Sequence, residues 1–123
     1  MRYVVEHPWA ILPSTLDAIV EVVRLRASGQ RFSDAEIRAR IGGAAPLRPT
    51  TSAVGRVQVI PIHGVIAHRM NSFEAISGGT STEALAAAIR QAVNDREIGA
   101  IVLDVDSPGG NVMGVQELAD AIY

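Results

Sequence analysis

The spacing of apolar positions changes repeatedly along the chain, and each pattern predicts what the segment forms. Leu16, Ile19, Val20, Val23 and Ala27 recur three or four residues apart, with Asp17, Glu21 and Arg24 off the stripe. That is the period of a helix with one buried face. Pro13 suits its first turn, and Ser28-Gly29 ends it. Ser33-Asp-Ala-Glu36 has capping-box spacing and predicts a second helix to about Ile41, stopped by Gly42-Gly43. Together these predict a helical hairpin within residues 1–42. Periodicity then vanishes. Residues 43–55 are rich in Gly, Ala, Pro, Thr and Ser and read as a linker, which sets a boundary before 56–123. The hairpin is accordingly expected to stand as a separate appendage.

In the second part, Val57 to Ile62 reads as a strand, and Pro61 argues for an edge or a bulge. His63-Gly64 is a turn, Val65 to Ala67 a short continuation, and 68–79 a polar loop. Thr80-Ser-Thr-Glu83 is a second capping-box pattern. It precedes a helical stripe of Leu85, Ala88, Ile89, Ala92 and Val93 that ends near Asn94-Asp95. The run Ala100 to Leu103, within a strand from Ile98 to Asp106, is apolar and β-branched. It predicts a parallel-type strand buried on both faces, so Val102→Asp is expected to destabilise severely. Ser107-Pro108-Gly109-Gly110 stops it. Val115, Leu118, Ala119 and Ile122 then recur at helical spacing. Strand, helix, strand, helix implies an α/β unit with a right-handed crossover.

The glycine turn carries the most chemistry. Gly109 and Gly110 leave backbone N–H groups unshielded by a Cβ. Two such groups at the mouth of a helix make an anion-binding corner, which in acyl transfer holds the oxyanion. The competing reading is a turn that only turns. A dinucleotide loop lacks its glycine spacing here, and a phosphate loop would need a lysine. Ser107 beside Asp104 and Asp106 invites a nucleophile assignment, but a serine before proline in a turn bonds more readily to local backbone. Asp104 and Asp106 project to one face. They suit a metal ion, an arginine partner or a capping role. His63 suits a general base or a structural histidine at a strand end.

Composition narrows these choices. All eleven basic residues are arginine, so no lysine base exists within these residues. Arg24, Arg26, Arg31, Arg38 and Arg40 suit a contact face or a solvated surface of the hairpin. There is no cysteine, which excludes thiolate chemistry and disulfides. His7, His63 and His68 lack zinc-ligand spacing. A net charge of −2 gives no reason to expect nucleic acid. No apolar run is long enough to span a bilayer, and Glu6, Pro8, Pro13 and Asp17 break any signal-peptide pattern. A cytoplasmic protein without cofactor or metal is the expectation.

Three blocks resemble the S49 peptidase family, which includes signal peptide peptidases and phage head-maturation proteases. They are Val-Ile-Pro-Ile-His-Gly-Val-Ile66, Ser-Gly-Gly-Thr-Ser81 and Ala-Ile-Val-Leu-Asp-Val-Asp-Ser-Pro-Gly-Gly110. The arm Pro8-Trp-Ala-Ile-Leu-Pro13 with its hairpin is similar to the extension of phage members. The resemblance implies a Clp/crotonase-type α/β fold, strand-strand-helix turns wound into a superhelix, of which this chain is a part. It also implies peptide hydrolysis by a Ser/Lys dyad, a protein or peptide substrate and homo-oligomers. By position, Gly109 and Gly110 match the family's oxyanion-hole glycines, Gly110 being the favoured donor. The family's nucleophile and base lie downstream of this block and have no counterpart within the chain. The alternatives are a non-catalytic assembly or interaction module and, less favoured, a crotonase-type acyl-CoA enzyme.

Overall fold

The computed structural model describes residues 7–42, 56–68 and 79–123. The linker expected at 43–55 and most of the expected polar loop lie outside these. In chain order the elements are β1 (Trp9–Ile11), α1 (Pro13–Ala27), α2 (Asp34–Ile41), β2 (Val57–His63), β3 (Ile66–Ala67), β4 (Thr80–Ser81), α3 (Thr82–Asn94), β5 (Ala100–Asp106), β6 (Gly109–Asn111) and α4 (Val115–Ile122).

Helix α1 begins at Pro13 as expected. Helix α2 has a complete capping box: Ser33 Oγ accepts from the Glu36 N–H, and the Glu36 carboxylate accepts from the Ser33 N–H at 2.8 Å. Gly42 closes it at a φ of 74°, where a side chain would be strained. The two bonds from Ser33 hold the Glu36 carboxyl below the usual glutamate range. A depressed folded-state value means the contribution is present above the unfolded value and lost as pH falls through the folded one. The start of α2 should therefore fray in acid, and Glu36→Gln should remove that pH dependence. The Glu36 side-chain carboxyl shift, followed by NMR, should titrate below that of a glutamate in the unfolded chain.

The strands make a four-stranded sheet in the order β1-β6-β3-β4 and a two-stranded sheet of β2 and β5. β2 and β5 are parallel and in register from Val57 opposite Ala100 to His63 opposite Asp106. Pro61 is tolerated because β2 has only one partner strand among the described residues. One core lies under this pair: Ile60 and Ile62 of β2 pack with Leu85, Ala86, Ile89 and Ala92 of α3 and Leu118 of α4.

Strand β5 corrects the expectation of burial on both faces. Ile101 and Leu103 pack against the core, but Val102 is 47% exposed and Val105 63% exposed. Helices α3 and α4 cover one face of the pair. The other face, carrying Val102, Asp104 and Asp106, has no covering element among the described residues. Val102→Asp should accordingly move stability by no more than about 1 kcal/mol. A urea melt showing a loss of about 3 kcal/mol or more would mean that Val102 is covered.

Two helix faces are also corrected. Val93 was placed on the buried stripe of α3 but is 68% exposed, and Ala86 is buried instead. In α1 the buried residues are Ile19 and Val22, because α2 delivers Ile37 and Ile41 to that side. This second cluster includes Val65, with Trp9 and Ile11 of β1 packed against it. The hairpin is thus seated on the four-stranded sheet through Val65 and β1 and does not stand apart from it.

Candidate functional site

The site is the junction where the ends of β2 and β5 meet the turn into β6. The Gly64 N–H donates to the Asp106 carbonyl at 2.9 Å, and Ser107 Oγ donates to the Gly64 carbonyl at 2.6 Å. Ser107 Oγ in turn accepts from the Gly109 N–H at 3.1 Å. One hydroxyl therefore ties the two turns together. Such bonding to backbone is the usual role of serine in a turn.

Gly109 and Gly110 differ from expectation in place. They form a short strand and do not open the following helix. β6 pairs antiparallel with β1 and parallel with β3, and α4 begins only at Val115. The reason lies in the residues that follow. Asn111 Oδ1 accepts from the Met113 N–H at 2.8 Å, and Gly114 takes a left-handed conformation, so the chain turns before the helix starts. Both glycines are sterically required. Gly109 has a φ of 103°, and a Cβ on Gly110 would strike the Ile66 carbonyl.

The two candidate donors are both engaged. The Gly109 N–H serves Ser107. The Leu12 N–H donates to the Pro108 carbonyl at 2.9 Å, and the Val112 N–H donates to the Pro8 carbonyl at 3.2 Å. In an antiparallel ladder the hydrogen-bonded pairs recur at every second residue. The pair between those two is Ala10 with Gly110. The Gly110 N–H thus faces a peptide carbonyl, that of Ala10.

The sequence offers Asp104 a metal ion, an arginine partner or a capping role. Its partner is His63, with Nε2 to Oδ2 at 3.3 Å. The His63 side chain is largely covered, while that of Asp104 is mostly exposed. Thr80, read in the sequence as the cap of the next helix, is hydrogen-bonded to the backbone of His63 instead. The His63 N–H donates to Thr80 Oγ1 at 3.0 Å, and Thr80 Oγ1 donates to the His63 carbonyl at 2.8 Å. Ser81 does the capping, accepting from the Ala84 N–H. His63 Nδ1 and Asn111 Nδ2 are buried without a hydrogen-bond partner among the described residues. Sequence reasoning missed the His63–Asp104 pair because the residues are far apart in the chain and meet only through the β2–β5 register. Among the described residues no three acidic or histidine side chains gather to hold a metal ion.

Two known proteins share sequence with this chain. One is the head-tail preconnector protein GP5 of Enterobacteria phage P21, 35% identical over 82 residues, or 67% of this chain and 16% of the relative. The other is the capsid assembly protease C of Escherichia phage lambda, 35% identical over 66 residues, or 54% of this chain and 15% of the relative. These similarities support a relationship to phage capsid proteases. The matched part is about a sixth of each relative's length. No protein-family model and no solved structure matches the chain. Among the described residues, no helix is long and apolar enough to cross a membrane.

Proposed function

We propose that this chain is the N-terminal part of a phage-type serine peptidase of the S49 class that acts on capsid or scaffold proteins during head maturation. Its fold is a partial Clp/crotonase superhelix. The nucleophilic serine and lysine base belong to polypeptide outside these residues. The observation that carries this reading is the Gly110 N–H held against a peptide carbonyl on an antiparallel strand. That is the approach an oxyanion donor makes to an extended substrate. Ser107 serves the turn, bonding Gly64 and Gly109, and leaves the nucleophile's part to another serine. The His63–Asp104 pair braces the ends of β2 and β5 beside the glycine turn.

The test is to express the full parent reading frame and incubate it with capsid and scaffold proteins of the same phage. Cleavage that is lost when a downstream serine or lysine is replaced by alanine supports the assignment. A full-length product that assembles with capsid protein but cleaves nothing supports the second reading, a non-catalytic assembly module. The name of the head-tail preconnector relative favours that alternative.

A further inference from the structure

We propose that the free edge of β2, with the apolar groove beside it, receives a second copy of this chain about a two-fold axis at Val59. This goes beyond the peptidase reading and does not depend on it. The pairing starts from main-chain groups. Among the described residues β2 has β5 on one edge and no strand on the other. The Arg56 carbonyl accepts from the Ala100 N–H, and the Gly64 N–H donates to the Asp106 carbonyl. Even-numbered residues of this stretch therefore face β5, and Val57, Val59, Pro61 and His63 face outward. The N–H and carbonyl of His63 are both taken by Thr80 Oγ1, which lies on that outer side. Pro61 has no N–H. The groups left for a partner are the N–H and carbonyl of Val57, those of Val59, and the Pro61 carbonyl.

These groups complement themselves in one antiparallel register. With Val59 opposite Val59 of the copy, the two valines exchange both main-chain bonds, and the Val57 N–H of each meets the Pro61 carbonyl of the other. An axis at Pro61 would oppose two residues without donors. An axis at Val57 would carry Pro61 past the end of the partner strand. The proline, a residue that blunts sheet edges, here fixes where the pairing is centred. The product is a four-stranded sheet in the order β5-β2-β2-β5, closed by an isologous contact. Side chains supply the rest. A groove of about 270 Å³ lies open along this edge, walled by Ile60 and Pro61 of β2, Thr80, and Ala84, Leu85 and Ala88 of α3. The alanines let another helix approach closely, and the two-fold axis brings the copy's α3 to that side, running antiparallel. Charge agrees with this direction. Glu83 stands in the first turn of α3 and Arg90 two turns later, so antiparallel copies set acid toward base.

The test uses the 123-residue chain, which contains no cysteine. Sedimentation equilibrium should give a concentration-dependent mass that approaches twice the 13.0 kDa of one chain. A hydrogen-bonded antiparallel pair holds its Cα atoms about 5.5 Å apart, within disulfide range. Val59→Cys should therefore oxidise to a covalent dimer at least ~10-fold faster than Val102→Cys, because the contact raises the effective concentration at position 59 alone. Val102 is the matched control, an exposed position on the neighbouring strand. Ala84 is exposed in the single chain and lines the groove, so Ala84→Arg should keep the fold and weaken the dimer at least ~10-fold by forcing a charge into the contact. A chain that sediments as a monomer at millimolar concentration overturns the proposal. Equal oxidation of the two cysteine variants overturns it too, as does a folded Ala84→Arg variant that dimerises like wild type. Should Ala84→Arg fail to fold, the cysteine comparison decides alone. None of these measurements involves turnover, so failure of the dimer leaves the peptidase reading standing, and an inactive longer product leaves the dimer standing.

Discussion

Gly110→Ala is expected to destabilise the fold by about 3 kcal/mol or more, the upper end for overpacking. The added Cβ would strike the Ile66 carbonyl and crowd its amide nitrogen and carbonyl carbon, all backbone atoms. A flexible side chain could swing aside, but a strand backbone cannot. β3 is held between β6 and β4, with Ala67 opposite Ser81, so relief would require separating the strands. Gly99→Ala is the matched control. Its Cβ would meet Arg56 Cβ and the Arg56 carbonyl at 3.7 Å, ordinary van der Waals contact. Urea melts of both variants should differ by most of the expected loss. Equal stability would mean that β6 does not approach β3 as described.

Much of this architecture is legible one element at a time. Pro13, Ser33 with Glu36, and Gly42 act within a turn or two of themselves, so their capping chemistry is readable without knowing the fold. What escapes is decided by neighbours distant in sequence. Val102 looks like a core residue because an apolar run has no period that distinguishes one covered face from two. The packing of α3 and α4 on one side alone settles it. Val93 fits the helical period equally well but sits beyond the reach of the β2–β5 pair. The glycines were recognisable as N–H groups unshielded by a Cβ, yet the sequence pointed those groups at a helix mouth. The actual partners are Ile66 on one edge and β1 on the other. Trp9–Ile11 carries no strand signal of its own. It becomes a strand because β6 offers an edge, and edges are filled by whatever extended segment is tethered nearby. His63 with Asp104 follows the same rule: each residue was singled out, and only strand register could join them.

The 123-residue chain, incubated alone with unfolded casein, is expected to show no peptidase activity. Hydrolysis by a serine–lysine pair divides the work. The hydroxyl attacks, the amine takes its proton, and backbone donors hold the charge developing on the carbonyl oxygen. Of these parts the proposed assignment gives the chain Gly109 and Gly110 alone, and the chain contains no lysine. Donors alone polarise a carbonyl but open no covalent route. Removing the nucleophile or base of such a unit typically lowers the rate ~10⁴- to 10⁶-fold. Ser107 does not make good the loss. Its hydroxyl proton is directed at the Gly64 carbonyl at 2.6 Å, and its oxygen accepts from the Gly109 N–H. Attack by that oxygen would break the bond joining the two turns, and the hydrogen bonds of the Ser107 hydroxyl go to backbone groups of Gly64 and Gly109, neither of which is a base able to take its proton. In this structure the Gly109 N–H is also committed to Ser107, and the Gly110 N–H faces Ala10, so both proposed oxyanion donors are already engaged. A serine-reactive fluorophosphonate probe is the direct measurement. The chain should remain unlabelled at concentrations that saturate an ordinary serine peptidase. Labelling confined to Ser107 and abolished by Ser107→Ala would place the nucleophile in this turn and overturn the division of the site.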